Sequence, residues 1–315
     1  MEKRQLGNSG IEVAPLAFGG NVFGWTIDEP TSFKLLDAFV DAGFNLIDTA
    51  DSYSRWKEGN YGGESETIIG NWMKQRGNRD KVIIATKVGS DMGEGKSLKK
   101  NYIFKAVEDS LKRLQTDHID LYQSHFDDLS TPVEETMDAY AELVKQGKVK
   151  AIGASNLSIE RLKQSVEYSE SKGLPRYETL QPLYNLYDRE GFEKELQPFS
   201  LQNNIGVINY YSLASGFLTG KYRSENDLSK SARGGGVKKY LNDRGFKILQ
   251  ALDEVAKRYN TKPATISLAW LMAQPAIAAP IASATNTEQL NDLIASANLK
   301  LDKEAIDVLN KASRY

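Results

Sequence analysis

Four residues of the chain could together perform acid–base chemistry on a bound molecule. Asp48 ends the apolar run "FNLID", and Tyr53 follows it by five positions. Lys87 comes directly after "KVIIAT", and His125 directly after "IDLYQS". A carboxylate at the end of a buried run is costly to desolvate unless it is paired. We therefore expect Asp48 to form an ion pair with Lys87.

Each of these residues also has a purely structural interpretation. The ion pair could merely hold two strand ends together, and a histidine is more often packed than reactive. His118, the other of the two histidines, precedes its apolar run and so lies at the opposite end from His125. A metal site of His125, Asp127 and Asp128 ranks last, because catalytic zinc usually has three protein ligands and often more than one histidine. No metal is expected.

The elements that would position these residues alternate along the chain. Eight short apolar runs are separated by segments of helical periodicity, which is typical of parallel βα units in an α/β protein. The candidate strands are residues 16–19, 44–47, 81–86, 119–124, 149–153, 179–182, 206–210 and 277–281. The clearest amphipathic segments are "SFKLLDAFVDAG", "NYIFKAVEDSLKRL", "VEETMDAYAELVKQG" and "GFKILQALDEVAKRY".

A closed (β/α)8 TIM barrel fits this alternation better than an open doubly wound sheet. No linker or change in composition divides residues 1–315, which predicts one domain. "AFGGNVFG" does not match the dinucleotide fingerprint of open sheets, and "ARGGGVKK" (232–239) follows no strand and is interpreted as a mobile loop. In a barrel, functional residues collect at the carboxyl ends of the strands, where all four candidates stand.

Bulk properties exclude several classes of function. The 315 residues include 40 Lys and Arg, 42 Asp and Glu, and no cysteine, for a formal net charge of −2. This balance argues against nucleic-acid partners and anionic membranes. The start, "MEKRQLGNSG", lacks an apolar core, and the apolar stretch near residue 270 is interrupted by Gln274, Pro275 and Pro280. We expect a cytoplasmic protein that does not associate with membranes.

At these residues the chain resembles the aldo-keto reductase family over essentially its whole length. The motifs that carry the resemblance are "GFNLIDTADSY", "IIATKV", "IDLYQSHFDD", "GKVKAIGASNLS" and "LQPLYNLYDR". A sixth, "YYSLASGFLTGKY", is similar to the cofactor loop of the bacterial and potassium-channel-β-subunit-like branches. The resemblance implies a (β/α)8 barrel whose bottom is closed by an N-terminal β-hairpin. It also implies a nicotinamide dinucleotide bound without a Rossmann fold.

The resemblance further implies a role for each of the four residues in reducing a small carbonyl substrate. Tyr53 would give a proton to the carbonyl oxygen, and His125 would orient that oxygen. The Lys87 ammonium would favour the phenolate of Tyr53, since an opposite charge stabilises the ionised form. Asp48 would keep Lys87 charged and aimed.

Fifteen further positions match cofactor-binding positions of the family. Some would hold the nicotinamide carboxamide, one tyrosine would stack on its ring, and others would contact the phosphates and the adenosine. They are Gly20, Asn21, Ser155, Asn156, Gln181, Tyr210, Leu213, Ser215, Gly216, Lys221, Arg233, Ser283, Thr285, Gln289 and Asp292. Trp25, Trp56 and the segment 54–64 are expected to line the substrate pocket.

The choice of dinucleotide depends on cations. Ser283 and Gln289 stand where the aldose-reductase branch has basic residues, yet a 2′-phosphate is best recognised by Arg or Lys. The channel-β-subunit-like branch uses the positions of Lys221 and Arg233 instead. We therefore predict NADPH, with NADH also possible. The predicted activity is carbonyl reduction; the alternatives are a cofactor-binding regulatory subunit with little turnover and, last, a metal-dependent hydrolase.

Overall fold

Eight parallel strands form the centre of the protein. The computed structural model describes residues 2–93 and 95–315. An antiparallel hairpin of β1 and β2 precedes the parallel strands β3 to β10, which pair in chain order from β3 to β9. The ten strands are Arg4–Gln5, Glu12–Val13, Ala17–Gly19, Leu46–Asp48, Ile83–Val88, Ile119–Ser124, Val149–Ser155, Tyr177–Gln181, Gly206–Val207 and Ile281–Ala282.

Hydrogen bonds at both edges of the last strand close the sheet into a barrel. On one side β10 pairs with β3, with Ile281 opposite Ala17. On the other side the Ile281 N–H donates to the Asn209 carbonyl at 3.0 Å, and the Ala278 N–H donates to the Val207 carbonyl at 2.8 Å. The predicted (β/α)8 architecture is confirmed.

The predicted N-terminal hairpin is present and packs against the barrel interior. Leu6, Ile11 and Val13 belong to the same buried cluster as the interior residues of the barrel strands. Gly7 approaches β8 so closely that a Cβ would lie 2.3 Å from the Glu178 carbonyl oxygen, and its φ is +59°. A side chain at this position would therefore separate the hairpin from the barrel.

Helices cover the outside of the barrel. The helices α1 to α11 are Glu29–Asp41, Glu64–Arg76, Lys100–Leu114, Val133–Lys145, Ile159–Lys172, Glu190–Glu193, Leu196–Gln202, Asp243–Arg258, Pro263–Met272, Thr287–Asn298 and Lys303–Ala312. Their starts follow the sequence: Asp28, Ser158 and Asn286 each accept a hydrogen bond from a backbone N–H of the first turn. None of the helices in the described ranges is long and apolar enough to cross a membrane.

Two buried clusters result from this layering. The larger fills the space between the strands and the helices, and includes Phe39, Trp72 and Trp270. The smaller lies inside the barrel and consists mostly of small or aliphatic residues. A filled interior leaves the carboxyl ends of the strands as the place where a small molecule can bind.

The structure differs from the sequence-based prediction in three places. The seventh parallel strand, expected over 206–210, is Gly206–Val207, with an isolated bridge between Leu183 and Tyr210 beyond it. The eighth, expected over 277–281, is Ile281–Ala282, because Pro280 has no N–H for a strand ladder. The segment interpreted as a loop at 232–239 contains a 3₁₀ helix, Gly234–Tyr240, which buries Val237 and Tyr240.

Candidate active site

Strand alternation directs Asp48, Lys87 and Gln123 towards the barrel axis near the carboxyl ends of β4, β5 and β6. Each stands two positions after a residue of the interior cluster, and alternate residues of a strand share a face. The three interior residues are Leu46, Ala85 and Leu121. All three polar side chains are buried, and Lys87 has no exposed surface.

The Lys87 ammonium is held by three acceptors. Its Nζ lies 2.8 Å from Asp48 Oδ2, 2.7 Å from the Thr49 carbonyl oxygen and 2.8 Å from the Tyr53 hydroxyl. An ammonium has three N–H groups, so each can have one acceptor. The predicted ion pair between Asp48 and Lys87 is confirmed. Burial lowers the pKa of Lys87, and Asp48 acts against that effect.

Tyr53 reaches the same carboxylate from the turn that follows β4. Its hydroxyl donates to Asp48 Oδ2 at 3.1 Å while it accepts from Lys87. The ammonium also lies 4.4 Å from the centroid of the phenol ring. Three ionisable groups thus share one hydrogen-bonded cluster, and the phenol is the member nearest the opening, because Asp48 and Lys87 are almost completely buried.

The pKa of Tyr53 shifts in the direction opposite to the one predicted. Burial raises it well above the ordinary value, and the Asp48 carboxylate, which accepts the phenol proton, raises it further. Arg233 acts in the opposite direction, but its effect is smaller. A net lowering of the Tyr53 pKa, expected from the pairing with Lys87, is therefore wrong for the resting site, although the ammonium lies 2.8 Å from the phenol oxygen. Tyr53 keeps its proton at neutral pH.

His125 completes the group from the end of β6. Its ring centroid lies 5.9 Å from that of Tyr53, and its Nδ1 lies 3.5 Å from Ser52 Oγ. Burial lowers the pKa of His125 well below its usual value, and the positive charges of Lys87 and Lys96 lower it further. The imidazole is consequently neutral at neutral pH and can donate a hydrogen bond from one nitrogen.

The residues expected to hold a carboxamide adjoin this group. Gln181, at the end of β8, donates from Nε2 to Asp48 Oδ1 at 2.9 Å and to Gln123 Oε1 at 3.2 Å. Ser155 Oγ donates to the Gln181 carbonyl oxygen at 2.8 Å. Asn156, whose φ is +55°, donates to the carbonyl oxygen of His125 at 2.9 Å. Amide and hydroxyl groups therefore line the barrel mouth beside Asp48.

Tyr210 stands over these residues. Its hydroxyl donates to Asn156 Oδ1 at 2.8 Å, and its ring centroid lies 5.3 Å from that of Tyr211. A cavity of about 390 Å³ adjoins Tyr210 and Asn156, but none of the four acid–base residues lines it. This cavity is therefore separate from the space above Tyr53 and His125.

The segment after Tyr210 has an unusual backbone. Tyr211, Ala214 and Ser215 have φ values of +55°, +49° and +58°, and Gly216 has +94°. Left-handed conformations at residues other than glycine carry strain and concentrate at functional sites. Leu213 precedes the kinked 3₁₀ segment Ala214–Thr219, so the predicted cofactor residues of this loop all fall on the strained stretch.

Arg233 lies beside Trp25 and Asn21. Its guanidinium carbon is 5.4 Å from the ring centroid of Trp25. Both atoms of the Asn21 side-chain amide have partners when the oxygen accepts a hydrogen bond from Arg233 Nη2 at 2.9 Å and the nitrogen donates one to Ser283 Oγ at 2.7 Å. Gly20, next to Asn21, backs onto β4: a Cβ there would lie 2.9 Å from the Asp48 carbonyl oxygen.

Three predicted adenosine-binding residues form a separate group around the start of α10. Gln289 Oε1 accepts from the backbone N–H of Thr285 at 2.9 Å and from its hydroxyl at 3.1 Å. Asp292 is engaged by Lys262 Nζ at 2.9 Å. The Lys221 ammonium lies 5.1 Å from the Tyr222 ring centroid.

Sequence reasoning missed several residues that contact the site. Gln123, Ser52 and the carbonyl of Thr49 all bond to it, and Phe126 stacks on His125 with ring centroids 4.8 Å apart. A signal existed for Gln123, which stands two positions before His125 on a buried strand. None existed for Thr49, because it contributes only backbone.

The carboxylates needed for the metal interpretation have other partners. Asp127 accepts from Arg161 Nε at 3.0 Å, and Asp128 accepts from the Thr131 hydroxyl at 2.6 Å and from the Leu98 N–H at 3.0 Å. Neither carboxylate is thus left to bind a metal beside His125. The residues in the described ranges contain no group of three potential metal ligands.

The protein is an eight-stranded parallel barrel with an aspartate, a tyrosine, a lysine and a histidine together at its mouth, and comparison with known proteins gives its family. Residues 15–314 match the Aldo/keto reductase family, to which this chain belongs. Enzymes of this family act on small carbonyl substrates and generally use NAD(P)H.

Three relatives illustrate the similarity. An uncharacterized oxidoreductase of Bacillus subtilis (strain 168), YrpG, is 36% identical over 318 residues, covering 98% of this chain and 95% of the relative. The aldo-keto reductase YhdN of the same organism is 35% identical over 316 residues, covering 96% and 91%. A norsolorinic acid reductase of Aspergillus flavus is 30% identical over 324 residues, covering 98% and 80%. The chain is thus an oxidoreductase of this family.

Proposed function

We propose that this protein reduces an aldehyde or ketone to the alcohol with NADPH as the reductant and Tyr53 as the proton donor. The observation that carries the proposal is the cluster in which Lys87 Nζ lies 2.8 Å from both Asp48 Oδ2 and Tyr53 Oη. Hydride transfer to a carbonyl carbon, which a bound reduced nicotinamide supplies, leaves negative charge on the oxygen. A positioned acid must neutralise that charge.

Tyr53 is suited to that task because its phenol stays protonated until the oxyanion develops. As the proton leaves, the Lys87 ammonium is in place to stabilise the phenolate that forms. Neutral His125 stands beside Tyr53 and can donate a hydrogen bond to the same oxygen. Asp48 keeps Lys87 charged and directed at the phenol.

The side chains around this cluster fit a nicotinamide dinucleotide. Gln181, Ser155 and Asn156 offer the amide and hydroxyl groups that a carboxamide needs. Lys221 and Arg233 form no ion pair with a carboxylate in the parts of the chain that the structure describes. Two cations without a carboxylate partner suit the phosphate groups of either dinucleotide. The choice of NADPH rests on the resemblance to the channel-β-subunit-like branch, which uses these two positions. Gln289 and Ser283 add no charge.

The test of Tyr53 is its replacement by phenylalanine. Tyr53→Phe removes only the hydroxyl, and we expect kcat for aldehyde reduction to fall by at least about 10²-fold, as for other general acids. NADPH oxidation at 340 nm with a panel of aldehydes, ketones and sugar derivatives measures turnover, and quenching of protein fluorescence measures cofactor binding, which should persist. Tyr168→Phe is the matched control, since Tyr168 lies on α5 away from the acid–base group and its hydroxyl donates to Asp138 Oδ1 at 3.0 Å.

Undiminished reduction by Tyr53→Phe would refute the assigned role. If the wild-type protein binds NADPH but oxidises it with no carbonyl compound of the panel, a regulatory subunit becomes the better interpretation. The same assay with NADH tests the cofactor: an equal or higher kcat/KM with NADH would contradict the preference for NADPH. Cytoplasmic location stays a prediction from the sequence.

A further inference from the structure

A lysine stands at the edge of the proposed substrate site. Lys96 Nζ lies 4.3 Å from the ring centroid of Phe126, whose ring stacks on the His125 imidazole with centroids 4.8 Å apart. The ammonium is therefore within about 9 Å of the imidazole centre, the sum of the two distances. Its positive charge is among the causes that lower the pKa of His125, as expected at this range.

Among the described residues, no carboxylate forms an ion pair with Lys96. The side chain is exposed and forms no ion pair within residues 2–93 and 95–315. Asp91, which feels its charge, is held by the N–H groups of Gly93 at 2.7 Å and Gly95 at 3.0 Å. Arg55 Nη1 donates to the Asp91 carbonyl oxygen at 2.7 Å, which ties this loop to the turn that carries Tyr53.

Further aromatic rings stand on the Tyr53 side of the acid–base group. The ring centroid of Trp56 lies 6.0 Å from that of Tyr53 and 5.4 Å from that of Trp25, in edge-to-face geometry. Trp56 is 52% exposed although it is a large apolar side chain. Exposed aromatic rings around a polar centre suit a flat aromatic ligand, which would cover them.

We infer that the enzyme prefers aromatic aldehydes or ketones that carry an anionic substituent, which Lys96 recognises while Tyr53 and His125 hold the carbonyl oxygen. This inference rests on the proposed carbonyl reduction and names its substrate class.

The test compares two aldehydes of nearly the same shape and different charge. For 4-carboxybenzaldehyde and 4-nitrobenzaldehyde, kcat/KM is measured with NADPH in the wild type and in Lys96→Gln. General effects on turnover cancel in the ratio of the two values. Because Lys96 is exposed, the ratio of carboxylate to nitro compound should fall by only about three- to fivefold in the variant, as for a surface ion pair.

Two controls separate recognition from nonspecific effects. Lys99→Gln removes an equal charge from an exposed residue three positions further on, and should leave the ratio at the wild-type value. Added salt should lower the wild-type ratio towards that of Lys96→Gln, because surface charges are screened over about 10 Å at 0.1 M salt. Lys96→Glu should lower the ratio below that of Lys96→Gln.

The outcomes distinguish this inference from the proposed function. If both aldehydes are reduced and Lys96→Gln keeps the wild-type ratio, Lys96 does not select the substrate and the inference is overturned. If the wild type reduces neither aldehyde nor any other carbonyl compound, the proposed function itself fails.

Discussion

Two opposite charges act on the phenol of Tyr53. Lys87 approaches its oxygen at 2.8 Å and Asp48 at 3.1 Å, and the phenol proton points to the carboxylate. From residue types alone, the pairing of Lys87 with Tyr53 predicts a phenol with a lowered pKa. The structure adds desolvation and the carboxylate, and both raise the pKa. Tyr53 is therefore an acid that keeps its proton.

This protonation state predicts different pH profiles for the two directions of the reaction. Reduction needs the protonated phenol and neutral His125, and since the pKa of Tyr53 is raised and that of His125 is lowered, neither group titrates between about pH 6.5 and pH 9. The kcat for reduction should thus be nearly flat over this range. Oxidation of the alcohol with NADP⁺ needs the phenolate, and its kcat should rise with pH by up to about tenfold per unit.

Measurement of both rates in the same buffers checks this prediction. A fall in the reduction rate centred between pH 7 and pH 9 would show that the Tyr53 phenol ionises there. Tyr168→Phe serves again as the control for a tyrosine outside the site.

The sequence predicted the residues of the site better than their environment. Asp48, Lys87, Tyr53 and His125 could be placed together because each follows a predicted strand of the barrel. The contacts of Thr49 and Lys96 could not, because one is a backbone carbonyl and the other depends on how a loop folds over Phe126. Charge effects on a pKa require distances, which residue order does not supply.

At the scale of elements, α2 and α3 support the strand that carries Lys87. Glu66 on α2 accepts from Arg113 Nε on α3 at 2.6 Å and from the hydroxyl of Thr86 on β5 at 2.5 Å. The two helices approach closely at Gly70, where a Cβ would lie 2.2 Å from the Arg113 carbonyl oxygen. Backbone, not a movable side chain, occupies the space that a larger residue would need.

Gly70→Ala should therefore destabilise the protein although alanine is the better helix former. We expect the free energy of unfolding to fall by about 1–3 kcal/mol, as for overpacked sites. The matched control is Gly191→Ala in α6, where a Cβ would meet nothing within 4 Å. That variant should be neutral or gain up to about 1 kcal/mol from helix propensity. Urea unfolding of both checks this, and equal stability of the two variants would contradict it.

The order and type of the elements could be predicted from the sequence, but several boundaries could not. All eight parallel strands lie at or beside their predicted positions, because buried strands of a barrel are apolar and regularly spaced. The two short strands are Gly206–Val207 and Ile281–Ala282. Their ends depend on pairing with distant parts of the chain, which leaves no local pattern in the sequence. The 3₁₀ helix Gly234–Tyr240 was missed because glycine-rich sequences are typical of loops.

At the scale of the whole molecule, the buried Asp51 side chain should make the free energy of unfolding depend on pH. Burial and the charge of Glu66 raise the pKa of Asp51 to about 8, while Arg113 and Lys87 act against this rise. The folded protein thus keeps a proton that the unfolded chain releases near pH 4. The resulting stabilisation is complete below about pH 4 and is lost as the pH rises to about 8.

Asp51→Asn cannot ionise and should lack this dependence. Between pH 5 and pH 7 the wild type should lose about 1 kcal/mol of unfolding free energy per pH unit more than the variant. Urea unfolding at both pH values measures the difference, and all other titrating groups are common to the two proteins. Parallel pH profiles would show that Asp51 is ionised in the folded state.

The bond between Asn21 and Ser283 joins residues 262 positions apart, and the last barrel strand pairs with the first. On the ribosome, the barrel therefore cannot close until nearly the whole chain has emerged. Until then β3 and β9 present unpaired strand edges, which are prone to pair with other chains. Truncation or slow translation near the C-terminus should consequently produce aggregates, and the Asn21 side of the mouth should be the last part of the pocket to mature.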